Sequence, residues 1–178
     1  MRSFVPAVVL ALASLLPLTS AAGYEELADS FSSVEQVGSA NVGFLGFRLY
    51  KAELWAEDDE NFALDYDEPF ALSLTYEREF SLGQLLTSTV KEMSRIEDRP
   101  EKDFYPLRAK LSECWDDVMP GDRITAKAKG EDMAIFYLNG ERSCEIEDPA
   151  FSERFFGIWL GEKTRDRRSR NRLLGAAQ

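Results

Sequence analysis

The chain has 178 residues, 44% of them hydrophobic, no histidine, and a formal net charge of −11. That length suits one domain. The charge disfavours nucleic acid, whose phosphates most of the surface would repel, and the lack of histidine removes Ser–His and Cys–His nucleophilic chemistry and most catalytic zinc sites.

Residues 1–22 predict a secretory signal peptide. Met1 and Arg2 give a short positive start, Phe4 to Leu18 is an apolar run broken by Pro6, Ser14 and Pro17, and Thr19-Ser20-Ala21-Ala22 offers small residues at a cleavage site. The run is too short and too broken by proline to span a bilayer; the alternative is a retained N-terminal anchor. The expected product is a secreted or periplasmic single domain over residues 23–178 with a net charge of −12.

"VGSANVGFLGFRLYKAELW", residues 37–55, reads as one strand. Leu45, Phe47 and Leu49 alternate on one parity, then Tyr50, Ala52 and Leu54 take the other. Such a change marks a bulge or burial on both faces. Arg48 is then either a surface cation or, if its face lines a cleft, a guanidinium beside Tyr50 able to grip a carboxylate. Gly38, Gly43 and Gly46 either open room for a ligand or allow close packing. In residues 57–68, Phe62, Leu64 and Tyr66 alternate, predicting a short strand or turn between acidic ends whose spacing matches no calcium loop.

Residues 69–78 alternate as a half-buried strand, with Phe70, Leu72, Leu74 and Tyr76 on one side. The period then switches. Ser81 and Gln84 can form a capping box, and Leu82, Leu85, Leu86, Thr89, Val90 and Met93 continue an amphipathic helix to about Ser94. A charged break around Pro100 precedes a second helix carrying Leu107, Leu111, Cys114, Trp115 and Val118, ended by Pro120-Gly121-Asp122. Residues 123–129 form a strand, and residues 133–146 a hairpin around Asn139-Gly140, the pair a type I′ turn favours. Asp148-Pro149 starts another helix, with Phe151, Phe155, Ile158 and Trp159 as its stripe and Gly161 at its end. A last helix, about Thr164 to Leu174, is basic: residues 161–178 carry net +4. It is either a solvated face or a contact for an anionic membrane surface or a protein.

The order β-β-β-α-α-β-β-β-α-α predicts an α+β fold, an antiparallel β-sheet covered on one face by a layer of helices. Cys114 and Cys144 are either a disulfide or two buried thiols. No glycine-rich phosphate loop, metal-spaced cysteine cluster or nucleophile elbow occurs, so no cofactor and no metal are expected. The abundant aromatics in predicted elements are either plain core or, in part, the walls of an apolar cleft between helices and sheet.

Five segments in this order, "VGSANVGFLGFRLYKAELW", "PFALSLTYEREFS", "GDRIT", "FYLNG" and "DPAFSERFFGIWLG", resemble the chalcone isomerase family, specifically its exported bacterial chalcone isomerase-like branch, from about Val37 to Gly175. The resemblance implies an open-faced sandwich with a ligand cleft between sheet and helices. The family includes plant enzymes that close a chalcone ring and relatives that bind fatty acids without catalysis. The family arginine of the first cleft strand falls at Asn41 or Val42, with Arg48 the nearest cation. The tyrosine near the first helix falls at Phe80 or Ser81, the helix lysine and asparagine at about Gln84 and Ser88, and the late hydroxyl at Ser152. With no cation or phenol at those positions to stabilise developing charge, the expectation is a non-catalytic binder of a small apolar or amphiphilic, fatty-acid-like ligand. Arg48, Tyr50, Gln84, Ser88 and Ser152 are its polar candidates. The alternatives are an isomerase or lyase acting on an enone-like substrate and a periplasmic protein-interaction module.

Overall fold

A computed structural model describes residues 24–28, 31, 33–57 and 62–175; the expected leader at 1–22 lies outside them. Six strands form one sheet in sequential order: β1 (Glu35–Phe44), β2 (Phe47–Ala56), β3 (Phe70–Tyr76), β4 (Arg123–Ala128), β5 (Met133–Leu138) and β6 (Glu141–Glu147). Every neighbouring pair is antiparallel. The helices are α1 (Glu25–Ala28), α2 (Leu82–Glu97), α3 (Tyr105–Cys114), α4 (Phe151–Leu160) and α5 (Arg167–Leu173), with a short 3-10 turn at Glu101–Phe104. This is the α+β architecture expected from the sequence.

The main core lies between one sheet face and α2, α3 and α4. Leu85, Val90 and Met93 of α2, Leu111 of α3, and Phe155 and Phe156 of α4 pack on Leu54, Leu72, Ala126 and Phe136 of the sheet. Alanines at 52, 56, 126, 128 and 134 are buried in this layer, and their short side chains let helices approach the strands while leaving volume for the aromatics. The opposite sheet face also has a buried centre. Leu27 and Phe31 lie over Trp55 and Ala71, and the Glu26 carboxylate, inaccessible to solvent, meets the Arg123 guanidinium at 3.0 Å and accepts from the Thr125 hydroxyl at 2.8 Å.

Local signals account for several boundaries. The Ser81–Gln84 capping box is present at the start of α2, and Asn139 and Gly140 take φ of 53° and 89° in the β5–β6 turn. Other elements differ from expectation. Residues 37–55 are not one strand but most of a hairpin, turning at Leu45 and Gly46 with φ of 50° and 83°. The strand or turn placed at 57–68 has no strand among its described residues, 62–68, so the strand count is right although two of its members are not. The expected bulge exists: Val42 pairs with Tyr50 and Gly43 with Arg48, leaving Leu49 as the extra residue of β2.

α3 ends at Cys114 rather than near Pro120. Cys114 is disulfide-bonded to Cys144 of β6, Val118 bridges to Phe80, and Asp117 accepts from the Leu82 amide at the start of α2. α4 starts at Phe151 instead of Pro149, because Asp132 takes the Ala150 amide and Asp148 engages Lys110 and Arg154. α5 begins only at Arg167, capped by Asp166, which accepts from the Ser169 amide. It lies on β1, where a Cβ on Gly38 would collide with the backbone of Arg172 and Leu173. Gly38 therefore serves close packing.

Candidate functional site

A cleft enters between the β2–β3 region of the sheet and helices α2 and α4. Its mouth, about 490 Å³, is bordered by Val42 and Phe44 of β1, Lys91 and Glu92 of α2, and Arg165 and Ser169 beside and within α5. A middle chamber of about 210 Å³ shares Leu49, Tyr50, Ser88, Ile158 and Trp159 with the mouth and adds Tyr76 and Phe80. A deep end of about 30 Å³ shares Leu74, Tyr76, Leu85, Thr89 and Trp159 with the middle and is closed by Trp115 and Phe155. The bulge explains part of this shape. Two consecutive residues, Leu49 and Tyr50, both line the cleft, which regular alternation would forbid.

The walls are aromatic. Tyr50 and Tyr76 are cross-strand partners with ring centroids 5.8 Å apart. Tyr76 meets Phe80 at 5.7 Å, and Trp159 meets Phe155 at 5.4 Å. Few polar groups interrupt them. Trp159 Nε1 donates to Tyr50 Oη at 2.9 Å, and Ser88 Oγ donates to the Gln84 carbonyl at 2.8 Å, which leaves its lone pairs available. Trp115 Nε1, at the deep end, has no acceptor among the described residues. At the mouth, Arg165 and Glu92 form an ion pair at 2.7 Å that links α2 to the segment before α5.

Burial pushes the Tyr50 phenol up to about 12; the Trp159 hydrogen bond works against that shift, and the Asp166 and Glu92 carboxylates reinforce it. Burial raises Tyr76 further, with the neighbouring Tyr50 adding to the effect. Both phenols are therefore neutral near pH 7 and act as hydrogen-bonding groups, not as bases. No group of three or more metal-ligating side chains occurs among the described residues.

Of the five polar candidates from the sequence, the cleft brings together Tyr50 and Ser88. Arg48 does not line it; the guanidinium is 66% exposed and lies 3.8 Å from Glu77. Gln84 is exposed and occupied in the capping box, accepting from the Ser81 amide at 2.8 Å. Ser152 is buried in the first turn of α4, where its hydroxyl donates to the Gly130 carbonyl at 2.6 Å, so it anchors the helix to the β4–β5 connection. At the position of the family arginine, Val42 borders the mouth while Asn41 is exposed.

Sequence reasoning missed Trp115, Glu92 and Arg165, and held Tyr76 and Trp159 only among the aromatics that are either core or cleft wall. The three aromatics sit on stripes that read as core, which they also are. Their polar atoms were the available signal, because a buried tyrosine or tryptophan requires a partner for its O–H or N–H.

The comparisons with known proteins bear on the fold and the family. No curated protein matches the chain by sequence. Among solved structures, a fatty-acid binding protein of Arabidopsis thaliana superposes with a TM-score of 0.64 at 12% identity, covering 81% of this chain and 88% of that one; at that identity the likeness is one of fold. The family model described as chalcone isomerase-like matches residues 44–175. The chain thus belongs to the chalcone isomerase-like family.

Proposed function

We propose that this chain is an exported, non-catalytic binding protein that holds a small amphiphilic, fatty-acid-like molecule in the cleft between sheet and helices. The observation that carries this reading is the cleft itself, an aromatic channel narrowing from mouth to deep end with few polar atoms on its walls. The mouth and middle chambers, at 490 and 210 Å³, fall together within the range of small-molecule pockets, roughly 300–1,000 Å³. An acyl or aryl body would lie against Leu49, Tyr76, Phe80 and Ile158, and a polar head at the mouth would find Ser88, Lys91 and Arg165. The resemblance in fold to a fatty-acid binding protein supports the ligand class.

The non-catalytic reading is supported by the chemistry of the walls. Ring closure of a chalcone requires charge stabilisation at a phenolate and an enolate. The cation nearest the family position, Arg48, faces solvent and does not reach the cleft. Export is supported by the leader-like residues 1–22 and by the Cys114–Cys144 disulfide, a bond that persists in oxidising compartments.

Native mass spectrometry after mild purification tests the binding, with bound mass expected on the folded protein and a rise in melting temperature on adding fatty acids. Consistently empty protein with no thermal shift would overturn it. Cell fractionation with mass determination of the mature N-terminus tests export, for which loss of residues 1–22 is expected.

A further inference from the structure

The β1–β2 hairpin ends in a turn built from apolar residues that stay largely exposed. Phe44, Leu45 and Phe47 are 67%, 80% and 61% exposed. Leu45 holds φ of 50° and Gly46 φ of 83°, the positive pair of a type I′ turn. The β5–β6 turn meets the same requirement with Asn139 and Gly140, the expected residues. A leucine at that first position is unfavourable, because its Cβ crowds the backbone in the left-handed region. Here it gains no burial in return. Phe44 and Phe47 are cross-strand partners at the base of the turn, so the three side chains cluster on one convex tip.

Two arginines and Glu77 flank this tip. The Arg78 guanidinium lies 5.0 Å from the Phe47 ring centroid, and Arg48 projects beside it with Glu77 at 3.8 Å. Phe44 also borders the cleft mouth, which carries Lys91 and Arg165, the latter 61% exposed and paired with Glu92. In a chain of net charge −11, an apolar tip set among arginines is a local exception.

We propose that the Phe44–Leu45–Gly46–Phe47 turn is a wedge that enters the surface of an anionic lipid bilayer, seating the cleft mouth on it. Arg48 and Arg78 would bind headgroup phosphates while Phe44, Leu45 and Phe47 reach the acyl region. A second copy of this chain fits the tip less well. Two such tips packed together would bury roughly 800 Å², short of the about 1,200 Å² of a stable specific interface. A fluid bilayer needs no complementary pocket and accepts a small convex wedge. This goes beyond ligand binding in the cleft and stands without it.

The test is co-sedimentation with vesicles of phosphatidylcholine alone and of equal parts phosphatidylcholine and phosphatidylglycerol, for the wild-type chain and Leu45→Asn. Asparagine suits the turn, so the variant folds; the two chains are otherwise identical, so the difference reads the turn alone. Expected are binding to the mixed vesicles, weakened by added salt, and a loss of at least about tenfold in L45N. A Leu45→Trp variant should in addition be quenched by brominated acyl chains more than the wild type is. Absence of wild-type binding to the mixed vesicles, or equal binding by L45N, would overturn the proposal. So would a wild-type dimer in sedimentation velocity that L45N abolishes, since that assigns the tip to a second copy.

Discussion

Trp159 on α4 donates its indole N–H to the Tyr50 hydroxyl on β2 at 2.9 Å, the one direct side-chain hydrogen bond between these two elements among the described residues. It ties the helix layer to the bulged strand at the point where the mouth of the cleft becomes its middle chamber. Replacing Trp159 by Phe keeps most of the ring contact with Phe155 but leaves the Tyr50 oxygen without its donor. The expected cost is about 1 kcal/mol, read as a lower urea midpoint with an unchanged slope. If the cleft binds an amphiphile, the same variant should also weaken that binding, because the wall between the two chambers loses its fixed geometry.

Tyr50 links stability to alkaline pH. Its phenol is raised from 10.0 to about 12 in the folded protein, so the native state holds the proton more tightly than the unfolded chain does. The resulting stabilisation is fully present below pH 10 and is lost as the pH rises toward 12. Thermal melts across that window should show a steeper fall for the wild type than for Tyr50→Phe. Equal slopes would show that Tyr50 titrates normally.

The Cys114–Cys144 disulfide joins residues separated by 30 positions, with Cα atoms 5.1 Å apart. Loop-closure entropy assigns it about 3–4 kcal/mol. Reduction, or the double variant Cys114→Ala/Cys144→Ala, should lower unfolding stability by that order in guanidinium titrations. It should also release the end of α3 from β6, seen as faster amide exchange in both segments.

Glu26 is the most deeply buried acid that is ion-paired among the described residues, with a solvent-inaccessible side chain bonded to Arg123 and Thr125. Glu26→Gln keeps the shape and removes the charge that Arg123 faces. Breaking a buried pair from one side costs about 3–5 kcal/mol, so a large drop in melting temperature is expected. Glu25→Gln, on the exposed side of the same short helix, should change little.

How much could be read from the sequence depended on whether a residue's local chemistry matched its role. Asn139-Gly140 announces a hairpin because both residues tolerate positive φ. Leu45-Gly46 makes the same kind of turn without announcing it, since leucine carries no such signal, and a hairpin was read as one strand. The Ser81–Gln84 box is local and was legible, and the parity change at Leu49 correctly implied a bulge. The site was harder, because a cleft is defined by which core-like residues fail to meet. Tyr76 and Trp159 lie on stripes indistinguishable from packing, and only tertiary placement shows that they line the cleft. Arg48 attracted attention as the odd charge in an apolar run, yet its place just before the bulge sends it to solvent.

The Glu26–Arg123 contact spans 97 positions, and it orders events during synthesis. The segment carrying Glu26 and Leu27 emerges from the ribosome long before β4 exists to receive it. Leu27 and Phe31 can cover Trp55 and Ala71 as soon as β3 is made, but the Glu26 carboxylate has neither Arg123 nor Thr125 to meet until translation has passed β4. A nascent chain arrested before β4 would leave the Glu26 carboxylate without those partners and the edge of β3 open. This makes the first 120 or so residues the stretch most in need of a chaperone.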